Sequence, residues 1–384
     1  MPESPLVSIL IPAYNYAHLL PRTLRSVFEQ SYRPIEVIVV DDGSTDATAE
    51  VLAATSGITA VRQPNRGLSA ARNEAIRRAS GKYLQFLDAD DLLGRRAIAR
   101  RVALLEAHPE CPAAICRSSL FSRFVLPEPL AWMGREWRHP IGGRPDLALR
   151  YRNIAPVHAF LVRAQALQRN RIAFDETLRA VEDYDFWLRL FNQAGPPCLL
   201  RKGWVYYRQH AGSMSKDLRT QTWHDLQVFR RLWLMETQLR QAQGLAARAD
   251  HTVSLLRGAS EVARKLWRWQ PADHDDFVTR CMHELLGLVE QCMRDGVLST
   301  QGWLILSAVR QDMLDARRRS AELGDGIFQP FAARLGYHRC FFLRARRVSR
   351  ARDLRMLARI AVRDLKYAVC LALDSRSRQV VEAS

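Results

Sequence analysis

Over the first ninety residues, apolar and polar positions repeat one rhythm four times. A short apolar run ends in a polar or acidic turn, and a segment with apolar residues three or four apart follows. Val7-Ser8-Ile9-Leu10-Ile11-Pro12 predicts a first strand, which Pro12 ends because proline cannot donate to a central ladder. Leu19, Leu20, Leu24, Val27 and Phe28 fall at helical spacing. Pro34 to Val40 predicts a second strand, continuously apolar after Glu36 and so buried on both faces. It runs into Asp41-Asp42-Gly43-Ser44-Thr45-Asp46. There Gly43 permits a tight turn, and Ser44, Thr45 or Asp46 can cap a helix carrying Ala49, Val51 and Leu52. Ile58 to Arg62 is a third short strand. Asn65 to Asn73 opens a helix with Ala75, Ile76 and Ala79 on its inner face, and Gly81 is expected to stop it. The fourth strand, from Lys82 to Leu87, exits into Asp88-Ala89-Asp90-Asp91.

Strands alternating with helices predict a mostly parallel sheet with helices on both faces. Parallel strands expose their carboxyl ends on one edge, so Asp41/Asp42 and Asp88/Asp90/Asp91 should face one crevice. Asp88 and Asp90 repel each other unless a cation sits between them. A hard divalent ion, Mg²⁺ or Mn²⁺, relieves that repulsion and usually joins one or two carboxylates to substrate phosphates. The plain alternative is an acidic turn in which Asp91 caps the next helix. Two acidic strand ends, with basic Arg66 and Arg72 at a helix start between them, favour a nucleotide-diphosphate and metal site.

Further on, a helix is expected from Ala97 to about Ala107, and Ala113 to Ile115 reads as a strand. Ser118 to Leu149, with Trp132, Trp137 and several prolines and glycines, reads as an irregular insert. Ile154 to Val162 reads as a strand and Val205 to Ser215 as a closing loop. Phe186, Trp187 and Leu190 make an apolar stripe, so Val181 to Leu190 predicts a helix. Its acidic residues Glu182, Asp183 and Asp185 sit at the N-terminus, where the macrodipole favours carboxylates. From Lys216 onward strand signals fade and helical segments follow. Two domains are expected, residues 1–215 and a helical, basic 216–384.

The chain has 384 residues and a formal net charge of +17, which suits nucleic acid, an anionic membrane surface or phosphorylated substrates. Its seven cysteines are scattered and odd in number, which favours a reducing compartment. Cys/His zinc spacing is absent. Met1 to Pro5 is polar and leads into a strand, so a secretory leader is not expected. Gly296 to Val309, the longest uncharged run of apolar character, is too short to span a bilayer. A cytoplasmic location follows as the expectation.

Four segments, VSILIPAYNYAHLLPRTLRSV, IEVIVVDDGSTDAT, NRGLSAARNEAI and GKYLQFLDADDLL, resemble family 2 glycosyltransferases in order and spacing. The resemblance implies an α/β, GT-A nucleotide-diphospho-sugar transferase fold, followed here by a mainly α-helical C-terminal region. It implies that Pro12 and Tyr14 cradle the nucleoside, that Asp42 accepts from the base and that Asp41 supports that turn. Arg72 lies beside the nucleotide. Asp88-Ala89-Asp90 is the Asp-x-Asp motif, with Asp88 near the ribose or metal and Asp90 a ligand of Mn²⁺ or Mg²⁺. At Glu182-Asp183 the family supplies its catalytic base. Asp183 takes that role here, with Glu182 as runner-up or as an orienting group. His210 is expected to reach the metal or diphosphate. On the acceptor side, His158 is a candidate contact, against a satisfied core histidine, and Arg208 either joins it or fixes its own loop.

The implied reaction moves a sugar from a nucleoside diphosphate, a UDP-sugar by the match at Asp42, to an acceptor hydroxyl with inversion. The implied setting is surface polysaccharide or lipopolysaccharide assembly, with a saccharide or lipid-linked acceptor. Gln227-Val228-Phe229-Arg230-Arg231 departs from the Gln-x-x-Arg-Trp motif of processive synthases by placing Arg231 at the tryptophan position. A sugar-nucleotide nucleotidyltransferase is a competing reading, but Pro12 to Ala17 lacks its Gly-rich loop. A basic nucleic-acid-binding protein is another, without a recognition motif to support it. Phe341 to Cys370 carries nine Arg/Lys and two Asp in an amphipathic pattern. That segment reads either as peripheral contact with the inner face of the membrane or as a packed helix with a solvated basic face.

Overall fold

The computed structural model describes residues 4–121, 149, 153–209, 217–243, 281 and 284. The chain divides into two compact units, Met1–Val228 and Phe229–Ser384.

Four strands form the parallel half of an eight-stranded sheet: β1 (Val7–Ala13), β2 (Ile35–Asp41), β3 (Thr59–Arg62) and β4 (Tyr83–Phe86). They lie in the order β3-β2-β1-β4. Between them run α1 (Leu20–Phe28), α2 (Thr48–Ala53) and α3 (Leu68–Arg78). The order reverses between β1 and β4, which is where open α/β sheets bind ligands. Ile9, Leu10, Ile11, Val39 and Val40 are fully buried, as expected of strands covered on both faces. Pro12 does not end β1. It pairs in register with Val40, at a level where β4 has already left the ladder after Leu10.

The second half of the sheet is mixed. A two-residue β5 (Leu92–Leu93) precedes α4 (Ala97–Ala107), and β6 (Ala113–Phe121) follows. The chain returns through a 3-10 turn (Val157–Ala159) into β7 (Phe160–Arg163), then α5 (Ala164–Arg169), α6 (Glu182–Ala194), β8 (Cys198–Arg208) and α7 (Leu218–Gln243). β7 runs antiparallel to both β4 and β6, β8 is parallel to β6, and β5 closes the edge against β8.

Several local expectations change. The strand at Ala113–Ile115 extends to Phe121, into the stretch read as an insert. Of the segment 154–162 only residues 160–162 are strand, the start of β7, because Val157–Ala159 coils into the 3-10 turn. Val205–Arg208 is not a loop but the end of a long strand. Gly81 does not stop α3, which has already ended at Arg78 with Ala79 extended. It is needed because a Cβ there would lie 2.6 Å from the Ser8 amide nitrogen and 3.0 Å from the Leu6 carbonyl oxygen. The cysteine scatter favours thiols, yet Cys111 and Cys198 are joined in a disulfide, while Cys116 is a buried thiol. The basic segment 341–370 and most of the expected C-terminal helices lie outside the described residues.

An aromatic cluster fixes α6 beneath the sheet. Phe174 stacks on Phe186 with ring centroids 4.1 Å apart, and Phe160 stacks on Trp187 at 4.2 Å. Phe86 of β4 meets Phe174, Phe186 and Trp187 edge-on. Such pairs contribute about 0.5–1.5 kcal/mol each beyond their burial. They hold the N-terminus of α6 against the carboxyl end of β4.

Candidate active site

Strand ends and helix starts converge at the β1–β4 switch point. After β1, Tyr14 is 44% exposed beside the buried Pro12. Asn15 follows at φ 59°, in the left-handed region that non-glycine residues seldom occupy. Its side-chain oxygen accepts from the amides of Thr45 (2.7 Å) and Asp46 (3.3 Å), so the loop after β1 is pinned to the loop after β2.

In that second loop the two adjacent aspartates differ in task. Asp41 Oδ1 accepts from the Ser44 amide at 2.8 Å, which supports the turn at Gly43. Asp42 Oδ1 accepts from Gln63 Nε2 (2.7 Å) and from the Arg66 amide (2.9 Å), and Oδ2 accepts from the Gly67 amide (2.8 Å). Three of a carboxylate's roughly four acceptor positions are thereby taken, leaving Oδ2 with one. Asp42 therefore anchors the approach to α3, a role that the sequence reading did not assign.

Arg72 is the centre of the arrangement. It is almost wholly buried, donating from one guanidinium nitrogen to Glu182 Oε1 (2.6 Å) and from the other to Asp88 Oδ1 (2.7 Å). Its guanidinium also lies 5.1 Å from the Phe174 ring centroid. One cation thus ties the acidic exit of β4 to the acidic start of α6. Glu182 is buried with an oxygen committed to this pair, which leaves Asp183 as the more accessible carboxylate of the two. Burial is the largest influence on the Asp183 carboxyl, followed by the Glu182 charge, and its pKa is pushed up to about 7 against the opposing Arg72. Asn153 donates from Nδ2 to both Asp183 oxygens at 3.1 Å. The residue before this pair, Val181, sits at φ 53°, strained for a β-branched side chain.

Asp88 is part-exposed while Asp90 is 9% exposed. Burial first, then the charges of Asp91 and Asp88, push the Asp90 carboxyl up to about 8. Burial, followed by the Asp90 and Asp88 charges, raises the Tyr16 phenol well above the ordinary range. A carboxylate whose ionisation is opposed by its neighbours is a natural seat for a cation, so Asp88 and Asp90 fit a hard divalent ion.

Asp91 does not cap a helix. Its Oδ1 accepts from the Arg208 amide (2.7 Å), and its Oδ2 lies 3.0 Å from His158 Nδ1. For His158 and Arg208, burial favours the structural one of the two readings open to each over acceptor contact. His158 is fully buried between Asp91 and the Tyr207 ring, so it cannot touch an acceptor as placed. Arg208 is also buried, donating from Nε to the Asp90 carbonyl (2.8 Å) with its guanidinium over Phe121, so it braces the acidic loop from behind. Burial brings the Arg208 pKa down to about 10. His210 lies outside the described residues.

Sequence reasoning missed Asn153 and Tyr16. Neither lies in an acidic motif, and an isolated Asn or Tyr carries no spacing signal.

A sheet of this order, with an acidic strand exit and an acidic helix start at its switch point, has the GT-A fold of nucleotide-diphospho-sugar transferases. The S. aureus TarS fragment 1–349, solved in complex with UDP-GlcNAc, shares it with a TM-score of 0.59 over 83% of this chain and 95% of that one. At 18% identity that likeness speaks for the fold alone. Residues 8–170 match the profile of glycosyl transferase family 2. The uncharacterized glycosyltransferase EpsJ of Bacillus subtilis is 29% identical over 219 residues, covering 55% of this chain and 63% of that one, under two thirds of its length. WfaP of Escherichia coli is named a UDP-Glc:alpha-D-GlcNAc-diphosphoundecaprenol beta-1,3-glucosyltransferase. It is 29% identical over 215 residues, covering 55% of this chain and 80% of that one.

Proposed function

We propose that the protein is a metal-dependent glycosyltransferase that moves a sugar from a UDP-sugar to an acceptor hydroxyl with inversion, in bacterial surface polysaccharide assembly. The observation that carries the reading is the Arg72 clamp, which joins Asp88 to Glu182 and so brings the two acidic motifs to one crevice.

Tyr14, exposed beside Pro12, offers an aromatic surface to the nucleoside. Asp42, buried and holding three hydrogen bonds, shapes the turn beside it and would meet the base through its remaining acceptor position. Asp90 and Asp88 would hold Mn²⁺ or Mg²⁺, and such an ion supplies charge neutralisation to the departing diphosphate. Asp183 takes the proton of the attacking hydroxyl. A base works best with a pKa near the operating pH, and burial beside Glu182 brings this carboxyl to about 7. Asn153 holds both of its oxygens and so fixes its orientation. Glu182 serves Arg72 rather than substrate. One base acting on the face opposite the leaving group gives single displacement and inversion.

The name of WfaP supports a UDP donor and a lipid-linked acceptor by analogy. Among the described residues no helix is long and apolar enough to cross a membrane. Action at the cytoplasmic face, with peripheral contact through the basic segment 341–370, is the arrangement we favour. The test is calorimetric titration with UDP, with and without Mn²⁺, followed by a screen of nucleotide sugars for donor hydrolysis. Mn²⁺-dependent UDP binding is expected. Tight binding of UDP unaffected by any divalent ion would remove the metal from the proposal, and no nucleotide binding at all would overturn it.

A further inference from the structure

A second constellation of ligating side chains lies away from the crevice, where the end of α4 meets the start of β8. His108 follows the last residue of α4, Glu110 and Cys111 complete the turn into β6, and Cys198 opens β8. The turn is closed by the Cys111 amide donating to the His108 carbonyl at 3.1 Å. His108 Nδ1 lies 3.1 Å from Glu110 Oε1. His108, Glu110 and Cys198 each offer a ligand atom, all within 4.8 Å of one another, and the Cys111 sulfur is bonded to that of Cys198. Two sulfurs, one imidazole and one carboxylate therefore sit in one small volume, drawn from positions 87 residues apart in the chain.

We infer that, with the disulfide reduced, His108, Glu110, Cys111 and Cys198 form a binding site for Zn²⁺. The donor set is of the borderline-soft kind that suits zinc and not the hard ions of the acidic crevice. Tetrahedral coordination with bonds of about 2.0–2.3 Å sets ligand atoms roughly 3.3–3.8 Å apart. From the present spacing His108, Glu110 and Cys198 need a shift of about 1 Å, which the exposed His108 and Glu110 side chains can make by rotation. Once their bond is broken, the two sulfurs must separate to that distance by side-chain rotation. Four protein ligands leave no open position, which marks a structural site.

The chemistry balances. A dithiol reductant gives up two electrons and two protons, becoming a disulfide, and Cys111 and Cys198 become thiols. Zinc binding then releases those two protons as the thiolates coordinate. In a reducing compartment the disulfide would not persist. The metal would then supply the cross-link between the end of α4 and β8, the strand that carries Arg208 behind the acidic loop.

The test uses the full chain, reduced with a phosphine under inert gas and checked by thiol titration, and then titrated with Co²⁺ and Zn²⁺. A thiolate-to-cobalt charge-transfer band is expected, displaced by one equivalent of Zn²⁺. Cys198→Ser should abolish the band. His108→Ala and Glu110→Gln leave both cysteines in place, and at least one should weaken Zn²⁺ binding by about tenfold or more, about 1.4 kcal/mol. The inference is overturned if the reduced chain gives no such band. It is equally overturned if the band survives Cys198→Ser, or if both His108→Ala and Glu110→Gln bind Zn²⁺ as tightly as the parent.

Discussion

Asp90→Asn should stabilise the metal-free protein while destroying its response to metal. Asp90 is buried beside Asp88 and Asp91, and its pKa rises from 3.8 to about 8. A carboxyl whose folded pKa lies above its unfolded value costs stability once pH exceeds the unfolded value, because the unfolded chain ionises freely and the folded one cannot. The cost grows from about pH 4 and levels off near pH 8. Each unit corresponds to about 1.4 kcal/mol, so the roughly three units between the ordinary aspartate value and pH 7 set an upper bound of about 4 kcal/mol. Water entry and side-chain relaxation reduce that, and about 1–3 kcal/mol is expected for the neutral amide. The assay is urea unfolding of parent and Asp90→Asn between pH 4 and 8, each with EDTA and with Mn²⁺. In EDTA the variant should be the more stable at pH 7–8, with the gap closing toward pH 4. With Mn²⁺ the parent should gain stability and the variant should not. A variant no more stable than the parent in EDTA at pH 7–8 would refute the electrostatic reasoning, and an undiminished Mn²⁺ response in the variant would refute the ligand assignment.

Arg72→Ala strands Asp88 and Glu182 as unpaired charges, one of them buried, and should cost about 3–5 kcal/mol in chemical unfolding; a loss under 1 kcal/mol contradicts the clamp. Asp183→Asn should lower turnover by about 10²–10⁴-fold while UDP binding persists. Because the base must be ionised, the parent's turnover should rise with pH through about 7. Removing the Asn153 hydrogen bonds with Asn153→Ala should move that rise to higher pH, and an unmoved profile would deny Asn153 its part. Gly81→Ala pushes a methyl against the Ser8 and Leu6 backbone and should cost about 1–3 kcal/mol by thermal melting; parent-like stability there would show that the β1–β4 contact gives way easily.

The sequence by itself determined the parallel half of the sheet and the identity of its acidic ends. Apolar runs such as Val37 to Val40 and helical spacing such as Leu20, Leu24 and Val27 are local records of burial, and strand and helix periods differ enough to separate them. The spacing of Asp88 and Asp90, and the family resemblance at Glu182-Asp183, likewise marked these carboxylates before any contact was known. Tertiary structure decided which charges meet. Arg72 reaches Glu182 across 110 positions, and Asp91 faces His158 across the centre of the sheet. Pairing depends on which side chains a fold turns toward each other, and a single chain carries no period for that. The same reason hid Asn153 behind Asp183, turned His158 and Arg208 from candidate acceptor contacts into buried braces, and assembled His108, Glu110, Cys111 and Cys198 from two distant segments. In the mixed half of the sheet the strands at Ala113 and at Phe160 were legible, but the bounds of β6 and β7 and the strand β8 were not, because they gain strand character from pairing with one another and local pattern does not carry that pairing.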